Sequence, residues 1–98
     1  MKKTILTLTL LFTCMLTYGQ DFTVTGTVSD TTDGAPLPGV NIVVEGTVIG
    51  TTTDRDGNYE ITVPSASSTL VFSYVGYESK LISINNKSTI DVQMALKT

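Results

Sequence analysis

Proline and glycine punctuate the stretch from Pro36 to Tyr77 into short runs. It reads Pro36-Leu37-Pro38-Gly39-Val40-Asn41-Ile42, then Gly46-Thr47, then Gly50-Thr51-Thr52-Thr53-Asp54-Arg55-Asp56-Gly57-Asn58-Tyr59, and it closes on Gly76-Tyr77. The pieces between the breaks are β-prone, and Asp56-Gly57 is a tight-turn dipeptide between two of them. That punctuation alone predicts a small all-β module.

The runs on either side alternate with a period of two. Phe22, Val24, Gly26 and Val28 alternate with Thr23, Thr25, Thr27 and Ser29, the pattern of a strand with one buried face. A polar turn follows from Asp30 to Ala35, tightest at Asp33-Gly34. Pro36 and Pro38 then remove two backbone donors, which predicts an edge or a connection there. Val40, Ile42 and Val44 share a face; a short Thr-rich strand is expected over Val48–Thr53, broken at Gly50. Inward rows follow at Tyr59, Ile61 and Val63, then at Leu70, Phe72 and Tyr74. Tyr77 to Ile84 alternates poorly, and its faces stay unassigned. After a turn at Asn85-Asn86-Lys87, Ile90, Val92, Met94 and Leu96 form the last row.

The sum is about seven short strands with turns between them, which favours a two-sheet antiparallel sandwich over Phe22–Leu96. Its expected core is Val24, Val28, Val40, Ile42, Val44, Tyr59, Ile61, Val63, Leu70, Phe72, Ile90 and Val92.

The ordered series from Pro36-Leu37-Pro38-Gly39 through Asp54-Arg55-Asp56-Gly57-Asn58-Tyr59 to Gly76-Tyr77 resembles the carboxypeptidase regulatory-like domain family. The resemblance implies a prealbumin-like (transthyretin-like) β-sandwich. Bacterial versions commonly form the N-terminal domain of SusC-type, TonB-linked outer-membrane importers of glycans and other large nutrients. It therefore implies a periplasmic module, lying before plug and barrel, that works by protein–protein contact with the import machinery. Strand addition at a sheet edge is one such contact. The residues in hand cannot themselves form a membrane barrel, which needs at least about eight strands with an outward apolar band.

The first residues read as a leader. Lys2-Lys3 is followed by the mostly apolar Ile5–Leu16 run, and Thr17 and Gly19 stand at the −3 and −1 positions of a cut before Gln20. This predicts a secretory signal peptide over 1–19 and an exported domain over 20–98. The run is too short for a comfortable membrane span. The lone cysteine, Cys14, lies inside it, and Phe12-Thr13 lacks the small residue that lipoprotein cleavage needs. Loss of the leader removes the thiol, so no disulfide or Cys-ligated metal is expected.

Cleavage also moves the formal net charge from −3 to −5, with Arg55, Lys80, Lys87 and Lys97 set against all nine carboxylates. An acidic chain without a basic patch argues against nucleic acid and against anionic lipid. A domain of about 79 residues buries only roughly 60–65% of its unfolded surface, so the apolar core alone must hold it.

The sequence assigns no catalytic, cofactor-binding or metal-binding residue. Asp54-Arg55-Asp56-Gly57-Asn58 suggests calcium, but an EF-hand needs glycine at its sixth position and a bidentate acid at its twelfth. Here the glycine is fourth and the twelfth residue is Ser65, so the stretch reads as a β-turn with Asp56-Gly57 at the φ > 0 positions. Asn86-Lys87-Ser88 and Asp30-Thr31-Thr32 match short glycosylation patterns and read as solvated turns. With no histidine and no mature thiol, general-base and nucleophile chemistry have no evident carrier. The hydroxyisourate hydrolases share the fold but depend on histidines, so that reading fails.

Tyr59, Phe72, Tyr74 and Tyr77 could instead serve a free-standing carbohydrate- or surface-binding sandwich. A grouped, exposed set of aromatics would favour that alternative, and aromatics spread through the core would favour the importer module. Tyr77 is singled out for structure, because Gly76 permits a bend that returns its ring to the sheet.

Overall fold

A computed structural model describes residues 21–97. The leader expected over 1–19, with Cys14, lies outside the described residues, as do Gln20 and Thr98. Seven strands follow in order: β1 Phe22–Asp30, β2 Asn41–Val44, β3 Gly50–Thr52, β4 Asn58–Val63, β5 Thr69–Ser73, β6 Lys80–Ser83 and β7 Val92–Met94. They form a three-stranded sheet, β4-β1-β7, and a four-stranded sheet, β3-β2-β5-β6. Among the described residues there is no helix. The architecture is an all-β sandwich.

The period-two rows set which face is buried. Val24 and Val28 on β1, Ile42 and Val44 on β2, Tyr59, Ile61 and Val63 on β4, and Leu70 and Phe72 on β5 all point into one core. Val40, Ile90 and Val92 complete the expected set, and every one of the twelve is buried. Packing across the two inner faces includes an edge-to-face contact of the Tyr59 and Phe72 rings, with centroids 5.6 Å apart.

The structure departs from the sequence reading at several points of the fold. β7 runs parallel to β1, pairing Val28 with Val92 and Asp30 with Met94, whereas the other named pairings are antiparallel. A tight hairpin forces antiparallel pairing; a crossover from β6 to the opposite sheet does not. Leu96 is not part of the last inward row: it is 55% exposed, bridging to Tyr77 at the sandwich margin. The third strand begins at Gly50, because Thr47 closes a turn with its hydroxyl, donating to Val44 O (2.9 Å) and accepting from Ile49 N (3.0 Å). Val48 is left fully exposed on that turn.

Two further departures add to the core. Leu37 is buried, held by a clamp at Thr53. The Thr53 hydroxyl donates to Leu37 O and accepts from Val40 N, satisfying the proline-rich connection from inside. Ile84, in the run whose faces stay unassigned from sequence, turns inward just past β6. Its N–H binds Ser68 O at 3.0 Å, and Asn85 and Asn86, with φ of 52° and 65°, turn the chain immediately after it.

Candidate functional site

The Asp54–Asn58 segment is a turn built on one carboxylate. Asp54 Oδ1 accepts from the N–H groups of Asp56 and Asn58, each at 2.9 Å. Gly57 N donates to Asp54 O, and Asp54 N to Asn58 O. Gly57 alone takes a positive φ, of 77°; Asp56 does not share it, contrary to the paired φ > 0 reading. A Cβ at Gly57 would also lie 2.7 Å from Val28 O and 3.0 Å from the Pro36 ring, so the loop is pressed onto β1. Among the described residues no three acidic side chains gather closely enough to hold a metal ion.

A second polar centre joins the end of β1 to the segment that precedes β6. Asp30, which sequence reasoning places in a turn, closes β1 and is 7% exposed. Its carboxylate accepts from the Tyr77 hydroxyl at 2.5 Å and from Thr32 N at 2.7 Å. Gly76, at φ 86°, supplies the bend that returns Tyr77, whose ring stacks at a tilt on Tyr74 with centroids 5.5 Å apart. The Tyr77 hydrogen bond, then that of Thr32 N–H, holds the Asp30 carboxyl below its ordinary value. Donation to Asp30 pushes the Tyr77 phenol up to about 12. Burial, helped by the Asp91 charge, raises the Tyr59 phenol likewise to about 12, and its hydroxyl donates to Ile90 O at 2.7 Å. These are structural bonds, in which each donor already has its acceptor.

The aromatics thus go inward. Tyr59 and Phe72 are buried, and Phe22, Tyr74 and Tyr77 pack against the core. Among the described residues, no aromatic ring is fully exposed to serve as a platform for a sugar. Of the short glycosylation patterns, Thr31, Thr32, Asn86, Lys87 and Ser88 are exposed, while Asp30 is not.

What the surface does offer is an apolar row across the outer face of the four-stranded sheet. Register aligns Gly50 with Val43, Val43 with Val71, and Val71 with Leu81. Val43 and Leu81 are exposed, and Val48 and Ile49 extend the patch beyond Gly50. Asn41, Thr52 and Ser73 flank the row on one side. Sequence reasoning missed this surface because its residues look like ordinary strand alternation until register places them side by side.

Residues 24–98 match the family model described as the CarboxypepD_reg-like domain. The chain belongs to the CarboxypepD_reg-like domain family. Among similar curated proteins, the TonB-dependent receptor P3 of Formosa agariphila is 42% identical over 90 residues, 92% of this chain and 9% of that protein. The TonB-dependent receptor P39 of the same organism is 44% identical over 71 residues, 72% of this chain and 7% of the receptor. The TonB-dependent receptor SusC of Bacteroides thetaiotaomicron is 44% identical over 61 residues, 62% of this chain and 6% of SusC. The chain spans less than a tenth of the length of these relatives. A chain in a solved type II cohesin–X-dockerin complex from Acetivibrio cellulolyticus superposes with a TM-score of 0.60, covering 76% of this chain and 58% of that one. At 23% identity, that likeness of a CarboxypepD_reg-like domain is one of fold.

Proposed function

We propose that this chain is a non-catalytic module of the periplasmic side of the outer membrane, equivalent to the N-terminal domain of TonB-dependent importers. It acts there through protein contact with the import machinery. The observation that carries this reading is the match of 42% identity across 92% of the chain to a TonB-dependent receptor. The inward aromatics support it over a carbohydrate-binding sandwich, and the outer-face row Val43–Val71–Leu81, exposed at both ends, supplies a surface suited to protein. The uptake of any nutrient belongs to the receptors, of which this chain matches a small part.

Cross-linking in the host envelope tests it. An epitope-tagged chain treated with a short-range cross-linker should give adducts containing outer-membrane receptor or TonB-system proteins. Retention by glycan alone, with no such adduct, would overturn the reading.

A further inference from the structure

Each sheet edge of the described sandwich but one is guarded by charge, proline or a covering segment. The β4 edge carries Glu60, ends at Pro64, and has the Asn58 peptide groups taken by Asp54. β6 opens on Lys80, whose ammonium reaches across to Gln93 O at 2.9 Å. The outer side of the C-terminal segment is met by Glu78 N donating to Ala95 O and Lys97 N to Gly76 O, both at 2.9 Å. Charges, prolines and covering segments are the usual protections of a sheet edge.

Among the described residues, β3 carries neither charge nor proline, and its three-residue length is its one evident protection. Its residues are Gly50, Thr51 and Thr52. Val44 N binds Ile49 O, and Thr53 N binds Val40 O, so residues 49 and 53 address β2. Alternation then directs the peptide groups of Thr51 to β2 and those of Gly50 and Thr52 outward. Beside this bare edge stand Val48, 101% exposed, and the exposed Val43 and Ile49. Exposed carboxylates flank it in the chain: Glu45 on one side, Asp54 and Asp56 on the other, with Arg55 between the last two.

Resting on the protein-contact reading above, we propose that the β3 edge is the docking site for an extended segment of another protein. That segment adds as a strand beside Gly50–Thr52. Its centre is apolar, to cover Val48 and Ile49, and its ends carry lysine or arginine, to meet Glu45, Asp54 and Asp56. A second copy of the chain fits less well, because it brings the same carboxylates toward their counterparts.

The test uses the isotopically labelled 98-residue chain and the blocked peptide Lys-Val-Thr-Val-Thr-Val-Lys, with a counterpart bearing glutamate at both ends. The lysine peptide should shift the amide resonances of Gly50, Thr51 and Thr52. At nine-tenths occupancy it should slow exchange of the Gly50 and Thr52 amides about tenfold, since only the free fraction opens to solvent. Added salt should weaken it. Thr52→Lys, at an exposed position, should abolish the response while keeping the melting temperature, and Thr62→Lys on β4 should leave the response intact.

No binding at millimolar peptide, equal binding of the glutamate peptide, or shifts centred on β4 or β6 would each overturn the assignment. Shifts at Gly50–Thr52 on concentrating the chain alone would overturn it in favour of self-pairing. A chain that cross-links to import proteins yet ignores the peptide loses only the edge assignment. One that takes the peptide but gives no such cross-link loses only the proposed function.

Discussion

The hydroxyl of Tyr77 donates to the carboxylate of Asp30 across 47 residues of chain. It ties the end of β1, in one sheet, to the segment that enters β6 in the other. Tyr77→Phe removes the donor and leaves Asp30 with Thr32 N–H. The variant should melt lower than the parent, and its Asp30 carboxyl should titrate closer to the ordinary value when followed by carbon-detected NMR. An unchanged Asp30 titration would show that the bond is not formed in solution.

The same pair sets a pH dependence with a definite sign. The Asp30 pKa is lower folded than its ordinary value of 3.8, so its stabilisation is present above that value and fades as pH falls through the folded pKa. Acid unfolding should therefore be less steep in Tyr77→Phe. At the alkaline end the signs reverse. Tyr59 and Tyr77 rise from 10.0 to about 12, so their contributions hold below pH 10 and fade as pH climbs toward 12. Ultraviolet titration should show two phenols ionising near pH 12, and their ionisation near pH 10 in the folded chain would contradict the geometry.

Phe72 is fully buried and meets Tyr59 edge-on. Phe72→Ala should cost roughly 3–5 kcal/mol in urea unfolding, a large share of the stability of so small a domain. A change below about 1 kcal/mol would mean that the ring does not sit in the core.

Most of this core was legible from period-two alternation, as at Tyr59-Ile61-Val63, because side-chain direction in a strand follows from position alone. The turns at Asp54–Asn58 and Asn85-Asn86 were legible from local turn chemistry. Leu37 and Asp30 were not, since their burial depends on partners far along the chain, Thr53 and Tyr77. The parallel pairing of β7 and the outer-face row from Val43 to Leu81 depend on register between strands, which composition does not carry.

The Asp54–Asn58 turn gives a prediction about metal. Because Asp54 Oδ1 is occupied by two backbone N–H groups, calcium or a chelator should leave the melting temperature unchanged. Asp54→Ala should cost about 1–2 kcal/mol, and Gly57→Val more, since a β-branched residue tolerates φ > 0 poorly. A calcium-dependent rise in melting temperature that Asp54→Ala removes would refute the turn assignment.

Gly26 lets β1 pack directly against the segment entering β7. A Cβ there would fall 1.8 Å from the carbonyl oxygen of Ile90, the atom that also accepts the Tyr59 hydroxyl. Gly26→Ala should therefore destabilise by about 1–3 kcal/mol or more, and raise the exposure of the Tyr59 phenol. An unfolding curve that matches the parent would rule out this contact.

Protease protection in whole cells tests the central claim most directly. An antibody against the folded domain should detect it in the outer-membrane fraction, resistant to protease in intact cells and degraded once the outer membrane is permeabilised. Recovery of the domain from the medium or the cell surface, cleaved by protease without permeabilisation, would contradict a periplasmic module of the import machinery.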